Sequence, residues 1–86
     1  MAARKISFSL HALDVLRERG IEKRWVEIVV AEPALLLADP EDTALVHVLA
    51  CCPEREGRVL RVVYNREANP PRVVTAFFDR GMKGKL

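Results

Sequence analysis

The sequence predicts an α+β domain of two layers, in which two N-terminal helices pack on an antiparallel four-stranded sheet. Three observations lead there. The segment Phe8 to Ile21, FSLHALDVLRERGI, holds a helix start, a short amphipathic helix and a stop at Gly20, and a second helix begins at once. Four β-like runs follow, separated by short turn-rich loops. Half of the 86 residues are hydrophobic, which suits a globular core and argues against disorder.

The elements follow in order. Ile6 to Phe8 alternates weakly and is a candidate short first strand. Ser9 can cap the first helix, because its hydroxyl accepts from an orphan amide of the first turn. Ala12, Leu13 and Leu16 mark one helical face, with His11, Asp14 and Glu18 on another. Gly20 stands where a left-handed residue ends a helix. Ile21, Trp25, Ile28 and Val29 then recur at helical spacing, and Val26 and Val30 widen that stripe. Pro33 ends the second helix, since the residue before proline avoids the helical region. The helix pair therefore spans about 9–32. After it the period changes. Leu35 to Ala38 is a short apolar run, closed by the turn cluster Asp39-Pro40-Glu41-Asp42. Leu45 to Cys52, Arg58 to Asn65 and Arg72 to Asp79 are strand-like and rich in β-branched residues. Short loops join these last three, which predicts an antiparallel meander. The sheet spans about 35–79, and a loosely held basic tail covers 80–86.

Length and charge bound the possibilities. A chain of 86 residues is one domain. No apolar run approaches the ~20 residues of a transmembrane helix. The N-terminus, MAARKISFSL, lacks the long apolar stretch of a signal peptide, so a cytoplasmic location is expected. Cys51 and Cys52 are adjacent, and neighbouring strand residues point to opposite faces. They read as two reduced, partly buried thiols, without metal-site spacing. Net charge is +2, placed unevenly: residues 1–43 carry −2 and residues 44–86 carry +4. A mildly basic second half suits a phosphate backbone, and equally suits the solvated face of a sheet.

The whole chain resembles a family of small bacterial domains of unknown function related in fold to the RelE/ParE/BrnT toxin superfamily. The residues that carry the resemblance are His11-Ala12, Glu18-Arg19-Gly20-Ile21, Val26-Glu27, Val73-Val74-Thr75 and Phe78-Asp79-Arg80. Val15 stands where that family often has an Arg, and Glu22 where it often has a Ser. The resemblance implies a RelE-like fold and a toxin-like ribonuclease, or a relative that has lost the activity. It also implies an antitoxin protein as partner. RelE-like toxins cleave messenger RNA, whereas ParE-like relatives inhibit a DNA gyrase, and a fold alone does not choose between them.

Metal-independent RNA cleavage has stated needs. The 2′-hydroxyl must lose a proton, the pentavalent phosphate needs positive charge, and the leaving 5′-oxygen needs a proton. No metal and no cofactor are expected. The candidate catalytic residues are His47, Arg58, Arg61, Tyr64 and Arg80. Arg66, Arg72, Lys83 and Lys85 are candidate nucleic-acid contacts. By alternation Arg58, Tyr64 and Arg66 share one face of their strand, and Arg61 lies on the other with Val59, Val63 and Asn65. Arg61 is the sharpest candidate because it interrupts VLRVV; such an Arg is also the ordinary solvated residue of an open sheet face. His47, inside LVHVL, suits acid–base work near neutrality, and equally a packed sheet position. Asp79 and Arg80 form an expected ion pair at the sheet edge. His11, Asp14 and Glu18 superficially resemble a metal site, but polar positions on an amphipathic helix are expected there; His11 is expected to cap and pack against the sheet. Two further classes stand beside the ribonuclease. One is a non-catalytic protein-binding module, gyrase-inhibitor-like or partner-docking. The other is a homodimer formed through an edge strand.

Overall fold

Two helices lie on one face of a five-stranded mixed sheet in a computed structural model that describes residues 5–86. The first four residues of the N-terminal segment lie outside the described range. In chain order the elements are β1 (Ser7–Phe8), α1 (Leu10–Arg19), α2 (Lys23–Ala31), β2 (Leu35–Ala38), β3 (Leu45–Cys52), β4 (Arg58–Asn65) and β5 (Arg72–Phe78). Single 3-10 turns follow β3 and β5, at Pro53–Arg55 and Arg80–Met82. The strand order is β1-β5-β4-β3-β2.

The helix signals act as expected. Ser9 accepts a 3.0 Å bond from the Ala12 amide, and so caps α1. Gly20 takes φ 65°, and the Ile21 amide reaches back to the Leu16 carbonyl at 2.9 Å. That six-to-one bond is the Schellman stop. It turns the chain into α2 with Ile21 already buried. α1 buries Ala12, Val15 and Leu16, and α2 buries Trp25, Val26, Val29 and Val30. Ile28, expected on the buried stripe, is instead 54% exposed. It falls on the outer side of the arc that Trp25, Val26, Val29 and Val30 define.

The sheet differs from the expected four antiparallel strands by one. β1 pairs with β5 in parallel, Ser7 opposite Arg72 and Phe8 opposite Val73. The candidate first strand at Ile6 to Phe8 does form, as Ser7–Phe8; what no local pattern encodes is its parallel pairing, because its partner lies near the other end of the chain. The remaining pairings are antiparallel, as expected. A register shift after Val63 inserts an extra residue, Val74, into β5: Val63 pairs with Thr75, but Tyr64 pairs with Val73. This bulge resets the alternation, so Val73 and Ala76 both face the helices and are fully buried.

The helix-covered core collects Val46, Val48 and Cys52 from β3 and Leu60, Val62 and Tyr64 from β4. Burial pushes the Cys52 thiol up from its usual value, and Cys51 is exposed; both are free. On the other face no helix packs, yet Leu49, Val59 and Val63 are also buried. Part of their cover comes from the C-terminal segment. Asp79 donates its amide to the Val59 carbonyl at 2.8 Å, and the turn Arg80–Met82 folds back against β4. The expected loose tail is therefore docked through residue 82.

Candidate functional site on the uncovered sheet face

A line of four polar side chains crosses the uncovered face, and each is fixed by the strand that carries it. His47 sits in mid-β3 opposite Leu37 of β2. Asp39 follows β2 by one residue and points back along the same face. Its Oδ2 accepts from the backbone amides of Glu41 (3.0 Å) and Asp42 (2.9 Å), the self-bonded turn that aspartate favours. Its Oδ1 is thereby aimed at His47 Nε2, 2.7 Å away. Arg61 projects from mid-β4 between Leu49 and Phe77, its cross-strand neighbours. It donates Nη1–H to His47 Nδ1 at 2.9 Å. Its Nε donates to Asp79 Oδ2 at 2.9 Å, and its Nη2 forms an ion pair with the same oxygen at 2.9 Å. Asp79 Oδ1 accepts from the Gly81 amide at 3.0 Å. The four side chains are 16–19% exposed, so they form a partly desolvated chain open to solvent on one side.

Donor and acceptor chemistry sets how the ring is engaged. A guanidinium only donates, so His47 Nδ1 accepts and the ring proton resides on Nε2, directed at Asp39. Those bonds also act on the carboxylate. The His47 contact, with the Glu41 and Asp42 amides behind it, holds the Asp39 pKa below the usual carboxylate range. The network thus sets an imidazole between an aspartate that orients it and an arginine that engages its Nδ1. An anion that draws Arg61 aside would leave Nδ1 free to accept a proton.

Of the residues chosen from sequence, His47 and Arg61 are brought into direct contact. Arg80 and Lys83 line a cleft with Arg58, Val59, Phe78 and Asp79, at the end of the sheet where β4 begins and β5 ends. Arg66 and Arg72 are exposed at the opposite end of the same two strands, roughly 23 Å away at 3.3 Å per residue. Lys85 is exposed beyond the docked turn. Tyr64 is 7% exposed in the helix-covered core and is removed from the other candidates, because the alternation that puts Arg61 outside puts Tyr64 inside. Asp79 pairs with Arg61 rather than with Arg80. His11 is exposed on α1, and the cap belongs to Ser9. Asp14 pairs with Arg17 at 2.9 Å. Among the described residues no group of three His, Cys, Asp or Glu is placed to hold a metal ion. No described helix is long and apolar enough to cross a membrane.

Asp39 was visible in the sequence only as a turn former. The hairpin register holds the missing signal: with Leu37 opposite His47, Asp39 falls two residues on and shares that face. Arg19 and Phe77 were also not singled out. β1 covers only the start of β5, and Arg19 reaches the open remainder, donating to the Ala76 carbonyl at 3.0 Å. Its guanidinium lies 6.0 Å from the Phe77 ring.

A family model described as a domain of unknown function matches residues 8–78. No curated protein and no solved structure matches the chain.

Proposed function

The chain belongs to the DUF4258 family, and we propose that it is a toxin-like, metal-independent ribonuclease acting through the uncovered sheet face. The observation that carries this reading is the contact between His47 and Arg61, backed by Asp39 and Asp79. In the proposed reaction a phosphodiester engages Arg61 and frees His47 Nδ1. That nitrogen takes the 2′-hydroxyl proton as the oxygen attacks phosphorus. Asp39 stabilises the resulting imidazolium, and Arg61 the charge on the pentavalent phosphate. The leaving 5′-oxygen takes its proton from water. The resemblance to RelE-like toxins supports RNA as substrate, and an antitoxin as partner follows from the same resemblance.

Induced expression in a bacterial host tests the proposal. The expected result is growth arrest with loss of messenger RNA, relieved by Arg61→Ala. Normal growth with abundant soluble protein overturns it.

One observation favours a second reading, a non-catalytic module that docks on a protein partner. Among the described residues the edge strand β2 has no strand on its outer side, and Leu36 and Leu37 are 57% and 39% exposed on it. An open apolar edge is a template for pairing, with a partner chain or a second copy. In that case induction either leaves growth normal or arrests it with intact messenger RNA, and Leu36→Lys removes the effect or the complex.

A further inference from the structure

Asp79 belongs to two features at once. Its carboxylate closes the His47–Arg61 network, and its other side borders the cleft of about 260 Å³ lined by Arg58, Val59, Phe78, Arg80 and Lys83. We propose that this cleft is a phosphate-binding site, separate from the His47–Arg61 pair. In naming an RNA phosphate as occupant, the proposal rests on the ribonuclease reading.

The charges in the cleft do not cancel. Three cations line it with one carboxylate, and that carboxylate is already engaged: Oδ2 takes the Nε–H of Arg61 and pairs with its Nη2, and Oδ1 takes the Gly81 amide. Among the described residues Arg58, Arg80 and Lys83 form no ion pair, whereas Arg17 and Arg24 are each matched to carboxylates, Arg17 to Asp14 and Arg24 to Glu22 and Glu54. A second convergence adds to the first. The guanidiniums of Arg55 and Arg58 lie 5.3 and 5.9 Å from the same Phe78 ring. The ring's negative face offsets part of their repulsion, and leaves the cluster without a counter-ion.

The walls sharpen the effect. Val59 is buried and Phe78 half-buried, so apolar material lies behind the cations, and a cleft with low-dielectric walls focuses the field of one sign of charge. The exposed Arg58 guanidinium lies 5.9 Å from the Phe78 ring and presents a planar fork. Such a fork matches two phosphate oxygens. The same Arg58 and Arg80 also line a shallow groove beside the end of β5, to which Arg19, Thr75 and Phe77 contribute. An RNA phosphate in the cleft would sit beside Asp79, the residue that also holds Arg61. The network alone is poorly suited to holding an anion, because Asp79 already neutralises Arg61. A separate phosphate site supplies the affinity that the network lacks.

The test uses the full chain and two probes, inorganic phosphate and a 2′-O-methyl uridine hexamer that cannot be cut by 2′-hydroxyl attack. Amide resonances are followed by NMR. The expected result is movement of the Val59, Phe78, Gly81 and Lys83 amides with both probes. Joint substitution Arg58→Gln and Arg80→Gln should weaken hexamer binding at least tenfold. It should also make the salt slope less negative by about 1.4, from roughly 0.7 per lost phosphate contact. Arg17→Gln should change neither. Movement with phosphate but not with the hexamer assigns the site to a small free anion and overturns the RNA occupant. No movement at those amides, or undiminished binding by the double variant, overturns the site itself. A cleavable RNA cut by the wild-type chain while the cleft stays silent refutes the cleft and leaves the ribonuclease reading standing; the converse result refutes that reading alone.

Discussion

His47 is held from both sides of its ring, and the two holds do different work. Asp39 fixes the ring orientation, and Arg61 covers the nitrogen that would act as base. Removing Arg61 leaves Asp79 and His47 Nδ1 without their partner in a site under one-fifth exposed, so Arg61→Ala is expected to cost ~1–3 kcal/mol of stability, read from urea unfolding. Asp39 contributes a pH dependence of defined sign. Its folded-state pKa is depressed, so its contribution is complete above the unfolded carboxylate value of about 3.9 and is lost as pH falls through the lower folded value. Asp39→Asn is therefore expected to lower the urea midpoint at pH 7. The gap to wild type should close as the pH drops below about 4. A gap that stays constant down to the acid limit would contradict the role given to this carboxylate. These residues also mark where sequence reading stops. Arg61 and His47 stood out because each is polar within an apolar run. Asp39 and Asp79 did not, because what they touch depends on cross-strand register and on a chain reversal, which no local pattern encodes.

At the scale of elements, the start and stop of α1 were legible because both act through backbone groups within a few residues. Ser9→Ala should cost about 1 kcal/mol. Gly20→Ala should cost about 1–2 kcal/mol, and for a conformational reason alone: an added Cβ would meet only Arg55 Nη1, at 3.9 Å. Thermal or urea unfolding measures both. β3, β4 and β5 were legible from β-branched runs between turn signals. β1 was faintly legible as the alternating run Ile6 to Phe8, but its parallel place beside β5 was not, since that partner is remote in sequence. The two edges of the sheet are treated differently. β5 is closed in part by β1 and in part by Arg19, whereas β2 is left open with two exposed leucines. Of the two edges, β2 is thus the one free to accept another strand.

Over the whole molecule, the two-layer α+β architecture follows from the order of patterns, helix spacing first and period-two runs after. The side of the sheet that the helices cover did not follow from the sequence, because both faces of β4 carry apolar residues. The structure resolves this: Leu60, Val62 and Tyr64 face the helices, while Val59 and Val63 lie on the other side with Arg61. Leu60 is fully buried at the centre, so Leu60→Ala should cost ~2–5 kcal/mol, a large share of the stability of so small a domain. The helix layer leaves one face free to carry chemistry, and His47 and Arg61 meet there. The most direct measurement incubates the purified chain with end-labelled RNA in the presence of a chelator and identifies the new ends. The expected products are fragments ending in a 2′,3′-cyclic phosphate, formed about 10²–10⁴-fold more slowly by His47→Ala. RNA that stays intact with the wild-type chain, or cleavage that His47→Ala leaves undiminished, would contradict the ribonuclease reading.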